Sequence, residues 1–188
     1  MVATCAELLA QPGTVLLLPT ETVYGLICRW SDSAAKKRIF KLKGRDENKP
    51  FQMMISSTQQ LEDLGVVVPP VARKVTDAFC PGPITILVPH DGAKVGYRIP
   101  DHAFFLEILR VIGEPLAATS ANLTGDALAL TVDDATSSLI GQPDLVVNAG
   151  ALENNVMAST VVDILDNSFS IVRSGPISED DIQQVLVR

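Results

Sequence analysis

A chain of 188 residues suits one domain, or one domain with a small extension. It is 47% hydrophobic and only 20% charged, so it can bury a sizeable core and is not a disordered chain. The formal net charge of -7 runs against a general duplex nucleic-acid binder, whose phosphate contacts call for a basic surplus, though a local basic cleft stays compatible with it. Cys5, Cys28 and Cys80 show no CxxC spacing. That argues against a disulfide framework or a zinc site and for small core residues in a reducing cytosol. The N-terminus lacks the basic and apolar regions of a signal peptide, and no apolar run approaches the roughly 20 residues of a membrane span. The expectation is a cytoplasmic protein with no membrane partner.

In chain order, residues 2–10 read as a short amphipathic helix closed by "QPG", and 15–18 as a buried strand. Ser31 or Asp32 N-caps a helix running to about Leu42, with Ile39 and Leu42 on one face and Lys36, Lys37 and Lys41 on the other. "FQMMI" is a short strand. Ser57 and Thr58 start a helix that Gly65 stops, and Pro69-Pro70 opens another through Phe79. "ITILVP" is a strand, with "VGYRIP" as its hairpin partner across "HDGAK". Residues 103–112 are helical, "PLAATS" is a strand and 133–140 a helix. "DLVVNAG", "STVVDIL" and "FSIVR" read as strands, and 179–186 as a last helix. The irregular alternation with a hairpin predicts an α/β or α+β fold with a mixed sheet. Without a repeat, low-complexity tract or linker, residues 1–188 read as one domain.

Four polar clusters follow the ends of these elements, where loops carry function on a rigid scaffold. "PTETVYG" holds hydroxyls at Thr20, Thr22 and Tyr24 that suit a small polar ligand; taken alone, the cluster reads first as a capped turn or helix start. "KLKGRDENKP" sets Lys43, Arg45 and Lys49 around Gly44; it reads as a phosphate-binding cluster or as a solvated helix end. No GxxxxGK[ST] occurs, so it is not a Walker A loop. "CPGPIT" stiffens a turn ahead of Thr85, and "ATSANLTG" carries Ser120 and Asn122 out of a strand. Arg98 and Arg173 stand at strand ends as carboxylate or phosphate ligands or as surface residues, and Ser159 stands just before a strand. His90 and His102 have no nucleophile partner, and both GxSxG and HExxH are absent.

In this order, "PTETVYGL", "KGRDENKPF", "PGPIT", "YRIPDH", "SANLTG", "STVVD" and "VRSGPI" resemble the YrdC family, the threonylcarbamoyl-AMP synthases. The resemblance runs from Pro19 to Ile177 and is to the single-domain form of the family. It implies a twisted mixed sheet with flanking helices around a large concave basic cavity. It implies an enzyme, a nucleotidyltransferase that makes threonylcarbamoyl-AMP and pyrophosphate from L-threonine, bicarbonate or carbon dioxide, and ATP. The product serves threonylcarbamoyladenosine modification of tRNA, with separate transfer proteins as partners and direct RNA contact as a further expectation. By matching position, Arg45, Lys49, Thr85, Asn122 and Arg173 take the ATP-binding roles. Thr22, Arg98, Ser120 and Ser159 take the threonine roles, and Lys43 and Arg45 of the KxR motif the catalytic ones.

The residues suit that chemistry. Phosphoryl-centre reactions need positioning and charge neutralisation more than a covalent nucleophile. Glu21, solvent and the carbamate itself are the candidates for a base. Magnesium is expected to arrive with ATP, held by phosphates and water. Three departures stand out. Met54 occupies a position where many members have histidine, "DALALT" replaces their Pro-Ser-Pro-Thr, and "PHDGAKVGYRIP" is short. Two other readings stay open: an RNA-binding protein of this fold, suggested by the basic region from Lys36 to Lys49, and a paralogue with changed substrate.

Overall fold

The computed structural model describes residues 1–44, 46–47, 49–123, 127–152, 157–166 and 168–187. Its elements are α1 (Val2–Leu9), β1 (Leu16–Leu18), β2 (Gly25–Arg29), α2 (Ser33–Leu42), β3 (Gln52–Met54), α3 (Gln59–Glu62), α4 (Pro70–Phe79), β4 (Ile84–His90), β5 (Ala93–Arg98), α5 (Ala103–Ile112), β6 (Leu116–Ser120), α6 (Val132–Ser137), β7 (Leu145–Val146), β8 (Thr160–Leu165), β9 (Ser168–Arg173) and α7 (Glu179–Val187). Among the described residues nine strands form one sheet in the order β7-β1-β2-β6-β3-β5-β4-β8-β9. The β1–β7, β3–β5 and β4–β8 pairs are parallel and the others antiparallel, so the sheet is mixed, as the irregular alternation implies. No helix of the described residues is long and apolar enough to cross a membrane.

Local chemistry sets the element ends. Asp32 caps α2 by accepting the Ala35 N–H at 2.9 Å, and Pro70 takes the first turn of α4, where its missing N–H costs nothing. His102 caps α5, its Nδ1 accepting from the Phe105 N–H at 3.4 Å, and Gly113 ends that helix at φ 73°. The β4–β5 hairpin is tighter than "HDGAK" suggests. His90 pairs with Ala93, so only Asp91 (φ 48°) and Gly92 (φ 74°) turn the chain, as a primed turn requires.

The sequence reading gave residues 25–29 no element, yet β2 lies between β1 and β6. It carries no polar alternation because both of its faces are covered: Ile27 joins one core cluster, Leu26 and Cys28 the other. The run Leu16–Leu18 divides likewise, with Leu17 packed in the cluster that holds Ala35 and Ile39 of α2. Leu16 and Leu18 belong to the cluster that holds Cys5 of α1 and Phe105 of α5. α6 stops at Ser137 rather than at residue 140, and only Leu145 and Val146 of "DLVVNAG" join the sheet. The α6 start is fixed by a capping box between Thr131 and Asp134.

Two devices hold the sheet margins. At one edge the Asp144 carboxylate accepts the Val15 N–H at 2.8 Å and pairs with Arg38, which also donates to the Gly13 and Gln142 carbonyls. Near the other edge Thr160 Oγ1 exchanges hydrogen bonds with the Ile177 backbone. There Gly175 approaches so closely that a Cβ would sit 2.3 Å from the Thr160 nitrogen.

Each device gives a test. Burial alone would raise the Asp144 carboxyl, but the Arg38 and Val15 hydrogen bonds outweigh it and hold the group below its ordinary 3.8. A folded value below the unfolded one contributes stability that is complete above the unfolded pKa and is lost as pH falls through the folded one. Asp144→Asn should therefore lower stability by about 1 kcal/mol at neutral pH, a charged hydrogen bond discounted for partial exposure. Urea midpoints would show it, and the gap to the parent should close in acid; a gap constant with pH would place the loss in shape rather than charge. Gly175→Ala should cost about 1–3 kcal/mol by overpacking, measured the same way, and an unchanged midpoint would mean that the loop yields freely.

Candidate active site

Cross-strand neighbours share a sheet face. Ala118 pairs with Gln52, Gln52 with Gly96, and Gly96 with Leu87. Two residues before Leu87, Thr85 pairs with Val161, which pairs with Arg173. All seven line one cavity of about 440 Å³. On the opposite face Tyr97 gives or accepts a 2.7 Å bond with Thr76 of α4, so that face is helix-covered where this one is open. Gly96 leaves the cavity floor bare: a Cβ there would meet Leu87 Cδ2 at 2.7 Å.

One end of the cavity is built on Arg98, which is only 3% exposed. Its Nη1 donates to Thr22 Oγ1 at 3.0 Å, its Nε donates to the Gly82 carbonyl at 3.2 Å, and its Nη2 stands 2.6 Å from Glu21 Oε1. Glu21 Oε1 also accepts the Asp101 N–H at 2.8 Å. Thr20 Oγ1 accepts the Thr22 and Val23 N–H groups, which folds "PTETV" into a turn aimed at Arg98. "PTET" and "PGP", far apart in sequence, thus meet on one guanidinium. Of its five N–H groups two make these hydrogen bonds and Nη2, paired in charge with Glu21, makes none, so donors remain for a ligand carboxylate.

A second network crosses β4, β8 and β9. Ser159 Oγ lies 2.9 Å from Thr85 Oγ1, which accepts from Gln52 Nε2. Arg173 folds back on Ser159, donating to its carbonyl at 2.8 Å and to its Oγ at 3.0 Å. Burial, with the Arg98 charge behind it, lowers the Arg173 guanidinium from its ordinary value, but arginine stays charged at physiological pH. The described lining carries Lys94, Arg98 and Arg173 and no carboxylate. Lys94 pairs with Asp163 and Arg98 with Glu21, two carboxylates outside the lining.

Thr22, Thr85, Arg98, Ser120, Ser159 and Arg173 of the sequence reading therefore meet in one cavity. Lys43, 3% exposed, donates from behind to the Ser120 carbonyl. Asn122 lines a neighbouring recess with Leu128 and Thr131, and Leu128 is common to both hollows. Lys49 is exposed, with its N–H bonded to the Asp46 carbonyl, while the following Pro50 and Phe51 join the cavity wall. Arg45 lies outside the described residues. Tyr24, grouped with the ligand-facing hydroxyls, is instead fully buried; its hydroxyl donates to the Gly150 carbonyl and accepts from the Ala149 N–H. Met54 is 1% exposed and belongs to the core rather than to the cavity wall.

Sequence reasoning missed Gln52, Lys94 and Gly96. A polar residue opening "QMM" and a glycine inside "KVGYR" were the available signals. Burial pushes the Cys80 thiol up to about 11, despite a backbone hydrogen bond at Ile99 and the Arg98 charge, and the Cys28 thiol up to about 12, so neither is a thiolate at neutral pH. Among the described residues no three His, Cys, Asp or Glu side chains converge on a metal position.

The sequence model of the Sua5/YciO/YrdC family, described as telomere recombination, matches residues 8–175. A Rattus norvegicus protein named threonylcarbamoyl-AMP synthase is 36% identical over 92% of this chain and 66% of its own length. The crystal structure of P. abyssi Sua5 complexed with L-threonine superposes with a TM-score of 0.88 at 29% identity, over 98% of this chain and 56% of that one. The crystal structure of E. coli YciO gives a TM-score of 0.78 at 25% identity, over 93% and 89%. The chain thus spans between about half and two thirds of the rat and P. abyssi proteins. In sequence and in fold alike, it belongs to the Sua5/YciO/YrdC family.

Proposed function

We propose that this cavity joins L-threonine, carbon dioxide derived from bicarbonate, and ATP into threonylcarbamoyl-AMP, with release of pyrophosphate. The observation that carries the reading is the buried Arg98–Thr22 clamp sharing one cavity with Ser159, Thr85 and Arg173. The rat relative's name and the L-threonine bound in the P. abyssi Sua5 complex support it.

The free N–H groups of Arg98 take the threonine carboxylate as a planar pair. Thr22, Ser120 and Ser159 bound the rest of the amino acid. The threonine amine, unprotonated, attacks carbon dioxide and loses a proton, giving a carbamate. A carbamate oxygen then bonds to the α-phosphorus of ATP. The bond from that phosphorus to the bridging oxygen breaks, and the electron pair leaves with pyrophosphate. Positioning and cations do the work, with Arg173 and the KxR pair Lys43 and Arg45 as charge partners of the nucleotide and Thr85, Lys49 and Asn122 as its other contacts. We assign magnesium to the nucleotide, as part of a MgATP substrate; the described residues offer it no cage, and no step here runs through it. The reading takes 1–188 as one domain, since one sheet passes through both core clusters. The product would pass to separate proteins that modify tRNA.

Purified protein should release pyrophosphate from ATP only when threonine and bicarbonate are both present. Release that ignores either one would sink the assignment. Arg98→Lys keeps the charge opposite Glu21 but loses the planar fork, so the KM for threonine should rise about tenfold or more while that for ATP moves little. An unchanged threonine KM would remove Arg98 from the carboxylate site.

A further inference from the structure

Strand β3 brings one polar side chain into the cavity that the roles given above leave without a task. Gln52 pairs with Gly96 on one side and Ala118 on the other, and all three line the hollow. Its Nε2 donates to Thr85 Oγ1 on β4, although β5 lies between the two strands. Two strand spacings are about 10 Å, and Gln52 and Thr85 bridge them across the one residue of β5 that has no side chain to stand in the way. A Cβ at 96 would stand 3.4 Å from Thr85 Cγ2, so the amide that bonds Thr85 lies over Gly96, on the bare middle of the floor. Met54, two residues on, is packed in the core, which leaves Gln52 as the polar side chain that β3 supplies to the cavity.

Residue 96 is about 7 Å along the strand from Arg98, room for a carboxylate hydrogen bond and the length of one amino acid. On its other side the amide touches Thr85, whose hydroxyl continues to Ser159 and Arg173. Gln52 thus stands between the guanidinium assigned to the threonine carboxylate and the groups assigned to the nucleotide, where the carbamate must form. A primary amide has two N–H groups and a carbonyl, and Thr85 takes one N–H. A carbamate carries an N–H beside an oxygen, the complement of an amide carbonyl beside an N–H. A free amine has no such oxygen.

We propose that Gln52 is the residue that recognises the carbamate: its second N–H donates to a carbamate oxygen and its carbonyl accepts the carbamate N–H. The proposal rests on the synthase reading for the reaction, but the pairing itself involves only threonine and bicarbonate.

The test uses the full chain with L-threonine and bicarbonate, read by titration calorimetry without ATP, beside pyrophosphate-release kinetics. In the parent, bicarbonate should tighten threonine binding. Gln52→Met keeps the unbranched stem and removes both amide groups. It should bind threonine alone as the parent does, lose about tenfold of the tightening, and raise the KM for bicarbonate about tenfold, the worth of one charged hydrogen-bonding contact. The threonine and ATP constants should move little. Gln52→Glu keeps an acceptor but sets a like charge beside the carbamate, so it should lose more than Gln52→Met. An amide with a merely structural role, acting through Thr85, would raise the ATP KM and spare that for bicarbonate. That result, an unchanged bicarbonate KM, or a parent whose threonine affinity ignores bicarbonate would overturn the proposal. If the parent releases no pyrophosphate from ATP, the synthase reading fails, and the calorimetric comparison still decides the role of Gln52.

Discussion

A guanidinium buried at the end of a sheet strand must find an anion and acceptors, and the site is organised around how Arg98 meets that demand. Glu21 supplies the charge, Thr22 the hydroxyl and the turn at Gly82 a carbonyl. Such a pair adds little net stability, because desolvating two ions offsets most of their attraction. What it fixes is position: the loop after β1, the turn before β4 and the end of β5 have one mutual arrangement that leaves no bare charge. The donors of Arg98 that remain are then aimed by the fold rather than by the ligand.

The cavity itself follows from small residues placed where a core would hold large ones. Gly96 and Ala118 stand among the in-register residues of the central strands, with the short hydroxyls of Thr85 and Ser159 beside them. One face of the sheet is filled by helices through Ala117, Met53 and Tyr97; the other is left hollow over its middle. Lys94 and Arg98 of the lining are paired to carboxylates that stand outside it. The described lining thus offers side-chain cations and hydroxyls but no carboxylate.

Helices with a cap or stop were legible from the sequence. Asp32 and Pro70 marked α2 and α4 because capping is local chemistry. β2 was not legible, since a five-residue strand covered on both faces has no period to read. The site divides in the same way. Residues inside ordered motifs, such as Thr22, Thr85, Arg98 and Ser159, were singled out from polar clusters and strand ends, and the resemblance gave them expected roles. Gln52 and Lys94 were not, because only the β3–β6 and β4–β5 registers bring them to the cavity. Tyr24 was misplaced for a related reason. Its hydroxyl reads as a ligand group in a hydroxyl-rich loop, and only the tertiary fold reveals that it is spent on the backbone of residues 149 and 150.

The pairing of β1 with β7 has a consequence for the order in which the chain is made. Val15 and the side chain that receives its N–H are 129 positions apart. At cellular rates of synthesis that separation is on the order of ten seconds. During that time the apolar run Leu16–Leu18 can pair with β2 on one side only, and its other edge presents unmet N–H and C=O groups. The nascent chain thus carries a sticky edge until residues 144–146 emerge.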